Sequence, residues 1–275
     1  MIPPIASNFV AGETASAAMA HVDDLNDRGV HGILNLLGEH YHDRADADAD
    51  TQAYVDLVRA LAARDTDACV SVKPSQIGLD VGDEVFEENL ARIVDAAECL
   101  VWIDMEDHTT TDVTLDAFER HARETDGNVG VCVQANLRRT RDDLERLADL
   151  PGKVRLVKGA YDEPAEVAYR EKARVDEVYR EYLEYMFQHF DDGIAVGSHD
   201  PAMIAYAREL HAEYGTPYEV QMLTGVRERA QFDLADDVTV YQYIPYGEKW
   251  FSYFYRRIRE RKSNALFALR AVVGR

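Results

Sequence analysis

The chain has 275 residues and a formal net charge of −21, with 51 acidic residues against 30 basic ones. That length suits one large domain. So acidic a surface repels phosphate backbones and anionic headgroups, which argues against nucleic-acid binding, and no run of eighteen apolar residues is present to span a membrane.

Only six of the basic residues are lysine. This acid-rich, lysine-poor composition resembles that of cytoplasmic proteins from salt-accumulating halophiles, where molar salt shortens the Debye length to ~3 Å. The opening Met-Ile-Pro-Pro-Ile-Ala-Ser lacks the basic and then apolar segments of a secretory leader. Cys69, Cys99 and Cys132 stand apart, each inside an expected strand. They read as buried thiols of a reducing cytoplasm, and neither as a disulfide frame nor as a zinc site.

A short β-rich run, a polar stop and an amphipathic stretch recur along the chain. Strands are expected at 32–37, 67–73, 98–104, 128–134, 153–158, 193–198, 217–222 and 238–244. Helical stretches are expected at 84–97, 113–124, 139–149, 165–190, 201–214 and 225–233, and 248–270 closes the chain. Eight strands alternating with helices predict one domain, a parallel (β/α)8 barrel of the TIM type. An open doubly wound sheet is the rival, but no GxGxxG turn follows the first strand. The acidic run Asp43–Asp50 imitates half of a calcium loop, yet Leu57 stands where the closing carboxylate belongs. That run reads as a solvated turn, and His40 and His42 beside Glu39 carry no metal expectation.

In such barrels chemistry sits at the C-terminal ends of the strands. Those ends bring Lys73, Asp104, Gln134, Lys158-Gly159-Ala160-Tyr161, Ser198-His199, Gln221-Met222-Leu223 and Tyr243 to one mouth, with Arg155 inside the fifth strand. After the eighth strand, Trp250, Phe254 and Ile258 recur at four-residue spacing as a face packed on a core. Tyr253, Arg256, Arg257 and Glu260 share the neighbouring face. A phenol, two guanidiniums and a carboxylate there suit an anionic ligand. The alternative is a solvated face stitched by Arg–Glu pairs.

The segments carrying these residues resemble the proline dehydrogenase family. They are Ile-Asp104-Met105-Glu106, Val-Gln134-Ala, Val-Arg155-Leu-Val157-Lys158-Gly159-Ala160-Tyr161, Gly-Ser198-His199-Asp, Tyr-Glu-Val-Gln221-Met-Leu223, and Tyr243-Ile-Pro245-Tyr-Gly247 leading into Tyr253–Glu260. Phe9-Val-Ala-Gly12-Glu and Leu37-Gly38-Glu39 resemble the family's opening segment. The resemblance spans the chain in order, and with no further domain in view it is to the compact, monofunctional form.

The resemblance implies FAD-dependent oxidation of L-proline to Δ1-pyrroline-5-carboxylate, the first step of proline degradation, with hydride passing from proline C5 to flavin N5 and electrons passing on to a quinone. It also implies a cytoplasmic protein that meets the inner face of the membrane transiently where the quinone lies. Arg256, Arg257 and Lys73 would clamp the substrate carboxylate, which is best held by a bidentate cationic clamp. Tyr161, Leu223, Tyr243 and Tyr253 would wall the ring, and Glu260 would orient a clamp cation. Asp104 and Arg155 are the catalytic candidates. Asp104 would set cation geometry, and Arg155 would stabilise negative charge on the reduced flavin. Met105, Gln134, Arg155, Val157, Lys158, Gly159, Ala160, Ser198 and His199 would hold the cofactor, and no metal is implied.

Ser198, Asp200, Asn136 and Asp162 stand where the family usually has Thr, Asn, an aromatic and Trp. These departures leave the substrate clamp intact. Two other enzymes on the same barrel remain as alternatives: a flavin enzyme of the methylenetetrahydrofolate reductase kind, and a metal-dependent hydrolase, for which only Asp104 and His199 qualify as strand-end ligands. A flavin or proline binding protein without activity is the third alternative. Oligomeric state is not legible.

Overall fold

The computed structural model describes residues 9–251. Eight strands, β1 (Val30–Leu36), β2 (Ala68–Val72), β3 (Val101–Ile103), β4 (Val129–Gln134), β5 (Lys153–Val157), β6 (Ile194–Gly197), β7 (Tyr218–Leu223) and β8 (Thr239–Tyr246), pair in sequence order. All pairs are parallel, and β1 closes the barrel on β8 with Ile33 opposite Tyr243.

The strands read as near-continuous apolar runs because both faces are covered. One set of alternate residues, including Val30, Leu34, Val70, Val72, Val131, Val133, Leu156, Val196 and Ile244, faces the helices in the main core. The other set fills the barrel, where Ile33, Cys69, Trp102 and Ala195 cluster with Tyr241 and Tyr243. Trp102 lies over Gly130, where an added Cβ would stand 2.6 Å from its ring. A glycine in β4 thus makes room for the largest side chain of the barrel interior.

Eight α-helices lie among the described residues, and three of them differ from what the sequence predicts. The run Asp43–Asp50 is no solvated turn: it begins α2 (Arg44–Ala62), with the Asp43 carboxylate accepting from Ala45 N at 2.9 Å. Ala47, Thr51, Tyr54, Val58 and Leu61 bury one face of that helix. Acidic residues at a helix start are favoured by capping and by the macrodipole, which the calcium-loop comparison obscured. A second unforeseen helix, α1 (Ala15–Asn26), is capped by Thr14. The helix expected from 165 begins only at Lys172, as α6 (Lys172–His189). Residues before it bond instead to the loop after β4, through Arg138 N to Val167 O at 2.9 Å and Tyr169 N to Asn136 O at 2.7 Å. Cys69 and Cys132 lie in strands and are buried, whereas Cys99 precedes β3 and is half-buried.

The other helices are α3 (Asp83–Ala96), α4 (Thr111–Glu124), α5 (Thr140–Leu147), α7 (Pro201–Tyr214) and α8 (Glu228–Ala235). None of the described helices is long and apolar enough to cross a membrane. Trp250 packs with Val10, Leu37 and Phe9, so the first residue of the expected C-terminal apolar stripe meets a core.

Surface arginines pair with carboxylates, as in Arg120–Glu87 at 2.7 Å, Arg146–Asp116 at 2.8 Å and Arg208–Asp237 at 3.0 Å. Exposed pairs of this kind contribute about 0–1 kcal/mol each and weaken in salt. The uncompensated charge of −21 is the larger effect, and salt relieves it. Dialysis from molar to millimolar salt is therefore expected to lower the midpoint of thermal unfolding followed by circular dichroism. Equal midpoints in the two buffers would reject a salt-adapted surface.

Candidate active site

Asp104, one residue beyond β3, is the centre of the barrel mouth. Its Oδ1 accepts from the Ser71 hydroxyl at 2.6 Å and from the Arg155 guanidinium. Its Oδ2 accepts from the Tyr243 hydroxyl at 2.6 Å and lies 3.8 Å from Lys73 Nζ. Strand register explains the convergence, because Ser71 is opposite Trp102, Arg155 is opposite Ala195, and the inward residues of neighbouring strands stack in layers.

Burial by itself would raise the Asp104 carboxyl. The Arg155 and Lys73 cations and the Ser71 and Tyr243 hydroxyls outweigh it and hold the group below the usual carboxylate range. Burial lowers and the Cys132, Asp104 and Tyr243 environment raises the Arg155 guanidinium, with a net upward result. Burial and then the Asp104 charge push the Tyr243 phenol well up, so it stays a neutral donor. At neutral pH the centre is a carboxylate surrounded by donors, suited to fixing cations and poorly suited to taking a proton.

Three further residues complete this centre without having been singled out from the sequence. Asn35 accepts from Lys73 Nζ at 3.0 Å and donates to Ser71 O at 2.9 Å. Tyr54, fully buried on α2, donates to Ser71 O at 2.8 Å and accepts from Leu36 N at 3.0 Å, which locks the tops of β1 and β2 together. Ser71 itself lies in the apolar run of β2. The available signal was a polar residue at an inward position of an otherwise apolar strand, one residue before the strand end.

Along the rim, Gln134 Nε2 donates to Glu106 O at 2.8 Å, joining the ends of β4 and β3 beside the buried Met105. Glu106 accepts from Ser75 N and Ser75 Oγ, both at 2.7 Å, and burial raises its carboxyl against those bonds. His199 Nε2 accepts from Leu223 N at 3.3 Å, which ties β6 to β7 and leaves the ring proton on Nδ1. Ser198 Oγ accepts from Asp200 N at 3.2 Å. Lys158 behaves differently from the expectation of a cation aimed at a cofactor. Its ammonium is turned to the helices, bonded to Asp176 of α6 and, at 2.8 Å, to Asp200, because its strand position is the outward one.

Beside the end of β5 lies a cleft of about 230 Å³ lined by Asn136, Lys158, Gly159, Tyr161, Glu163 and Tyr169 among others. Gly159 has φ +105, and a Cβ there would stand 2.1 Å from Asn136 Oδ1. That oxygen is buried with no hydrogen-bond partner among the described residues. The glycine makes room for the Asn136 side chain, and the unmatched acceptor on that side chain is the feature of this wall that suits a ligand. Val157 points along the inward row and packs where a Cβ at Gly197 would meet it at 2.6 Å. Ala160 is exposed, and Tyr161 and Leu223 are half-buried.

The structure therefore joins Lys73, Asp104, Arg155 and Tyr243 in one bonded group, and sets Met105, Gln134, Gly159, Tyr161, Ser198, His199 and Leu223 around the rim. Tyr253, Arg256, Arg257 and Glu260 lie outside the described residues. No group of three or more His, Cys, Asp or Glu among the described residues is placed to hold a metal ion.

Fold and mouth together define a parallel (β/α)8-barrel enzyme organised by one buried carboxylate. The family model described as proline dehydrogenase matches residues 18–270. Proline dehydrogenase of Deinococcus radiodurans is 36% identical over 282 residues, covering 98% of this chain and 90% of that protein. Proline dehydrogenase 1 of Bacillus subtilis is 34% identical over 275 residues, with the same coverage. The chain belongs to the proline dehydrogenase family of oxidoreductases.

Among solved structures, proline utilization A from Bdellovibrio bacteriovorus inactivated by N-propargylglycine matches with a TM-score of 0.85 at 23% identity, over 95% of this chain and 33% of that one. Proline utilization A from Corynebacterium freiburgense matches with a TM-score of 0.80 at 23% identity, over 98% and 32%. This chain spans about a third of the length of those proteins, and the likeness speaks to the barrel.

Proposed function

We propose that the protein oxidises L-proline to Δ1-pyrroline-5-carboxylate with bound FAD, passing the electrons to a quinone. The carrying observation is the bonded group of Lys73, Asp104, Arg155 and Tyr243 at the mouth of a barrel whose family is proline dehydrogenase. The unmatched Asn136 Oδ1 and the inward guanidinium of Arg155 fit a large planar cofactor with both donors and acceptors. When bound, FAD supplies the acceptor for hydride from the ring carbon next to nitrogen.

The chain's own residues then do three things. Lys73, joined by Arg256 and Arg257 of the C-terminal segment, binds the carboxylate of proline as a cationic clamp. Tyr243, with Tyr161, Leu223 and Tyr253, walls the small apolar ring and excludes water. Asp104 orients Lys73 and Arg155 and stays ionised throughout, so the amine must reach the site neutral or lose its proton to another acceptor. Arg155 places fixed positive charge where negative charge accumulates on reduction. Met105, Gln134, Val157, Gly159, Ala160, Ser198 and His199 form the cofactor-facing rim. Lys158 supports that rim from behind by bonding α6 and the start of α7.

The test is a visible spectrum. The purified protein is expected to be yellow, and anaerobic L-proline is expected to bleach it while NADH does not. A protein that gains no flavin absorbance on incubation with FAD in high salt would reject the reading, and bleaching by NADH alone would favour a folate-reductase type of chemistry.

A further inference from the structure

Below the mouth, a second set of inward polar residues continues the bonded group to the barrel floor. Arg155 Nη1 donates to Gln221 Oε1 at 3.1 Å, and Gln221 Nε2 donates to Glu219 Oε1 at 2.7 Å. Glu219 Oε2 then accepts from Lys153 Nζ, which also lies 5.7 Å from the centre of the Tyr241 ring. Glu219 and Gln221 are 5% and 4% exposed, so neither is there for solubility. Register puts them in place, since Ala195 lies opposite both Arg155 and Glu219, and Gly197 lies opposite Gln221. The two small residues of β6 leave the space through which β5 and β7 side chains meet.

The chemistry of this ladder has one consistent arrangement. A guanidinium can only donate, and a carboxylate can only accept. The amide between them must therefore turn its oxygen to Arg155 and its NH2 to Glu219. Charges alternate from floor to mouth: Lys153, Glu219, the Gln221 dipole, Arg155, Asp104 and Lys73. Held at Nη1 by Gln221 and at Nη2 by Asp104, the Arg155 guanidinium has its plane set by two bonds from two strands.

We propose that Glu219 and Gln221 are positioning residues for Arg155. Glu219 orients the Gln221 amide, and that amide fixes the guanidinium at the mouth. The functional half of this inference rests on the assignment of Arg155 to the flavin; the positioning half does not. Two variants test it. In Glu219→Gln the amide at 221 loses its acceptor-only partner, and in Gln221→Met the link is removed at similar volume.

The first readout is rotation of the Arg155 guanidinium by NMR, which needs no flavin. It is expected to quicken at least about tenfold in both variants, the factor that corresponds to one bond to a charged group. The double variant is expected to match Gln221→Met alone, because Glu219 acts through Gln221. The second readout is the midpoint potential of the bound flavin, expected to fall in Glu219→Gln as Arg155 is loosened. If Glu219 acted only as a remote negative charge, its removal would raise that potential.

An unchanged rotation rate in Gln221→Met overturns the proposal, as does a raised potential in Glu219→Gln. A wild-type protein that takes up no flavin refutes the cofactor reading and leaves the rotation rates to decide the ladder.

Discussion

Asp104→Ala is expected to cost about 3–5 kcal/mol of folding stability, the usual result of removing one partner of a buried ion pair. The loss comes from what remains: Arg155 and Lys73, 5% and 9% exposed, would face each other across a vacated site with no counter-ion. Asp104→Asn keeps the shape but offers one acceptor oxygen to four donors, and turns its NH2 against them. Its turnover with proline is expected to fall about a hundredfold, as for a misplacement of about 1 Å in an active site. Urea unfolding and steady-state kinetics measure the two effects. Native midpoints and kinetics in both variants would show that the three hydrogen bonds to Asp104 and its ion pair with Lys73 have no energetic consequence.

The same residue sets a pH dependence. Its folded carboxyl lies below the ordinary 3.8, so below that pH the unfolded chain binds more protons than the folded one. The contribution is fully present above 3.8 and is lost as pH falls through the lower folded value. Asp104→Asn should lack this part of the acid limb. An identical acid limb in the two proteins would assign the acid transition to other carboxylates.

The second large effect is expected at Arg256 and Arg257. Arg256→Met or Arg257→Met should raise the Michaelis constant for proline about ten- to a hundredfold, the worth of one charge-assisted bond to a buried group. Flavin occupancy should be largely retained, because the proposed cofactor rim is drawn from the ends of strands β3 to β6. If the two arginines only paired with Glu260 at the surface, each change would cost at most ~1 kcal/mol of stability and leave kinetics alone. Wild-type kinetics in both variants would refute the clamp. Just before them in the chain, Lys249 bonds the Tyr41 hydroxyl and Trp250 packs on Val10 and Leu37.

Sequence alone determined the barrel. Each strand was legible because a fully buried parallel strand is a short apolar run ended by a polar residue, and eight of them alternate with helices. Lys73, Asp104, Arg155 and Tyr243 were legible for the same reason, as polar residues in or just after such runs. The start of α2 was not, because Asp43–Asp50 carries loop-like composition and its helix is decided by the burial of Tyr54, Val58 and Leu61 against the barrel. Nor was the late start of α6, which depends on backbone bonds to the distant loop after β4.

Tertiary structure alone decided which neighbours each polar side chain meets. The sequence puts Arg155 inside β5, but the β5–β6–β7 register is what brings it to Gln221 and, through that amide, to Glu219. In the same way, the alternation of a strand sends Lys158 outward to two carboxylates, although its place in the chain is three residues from Arg155. Periodicity along a chain is a one-dimensional property and survives in the sequence. Register between strands is set by barrel closure, a condition on all eight strands at once, and no local run of residues carries it.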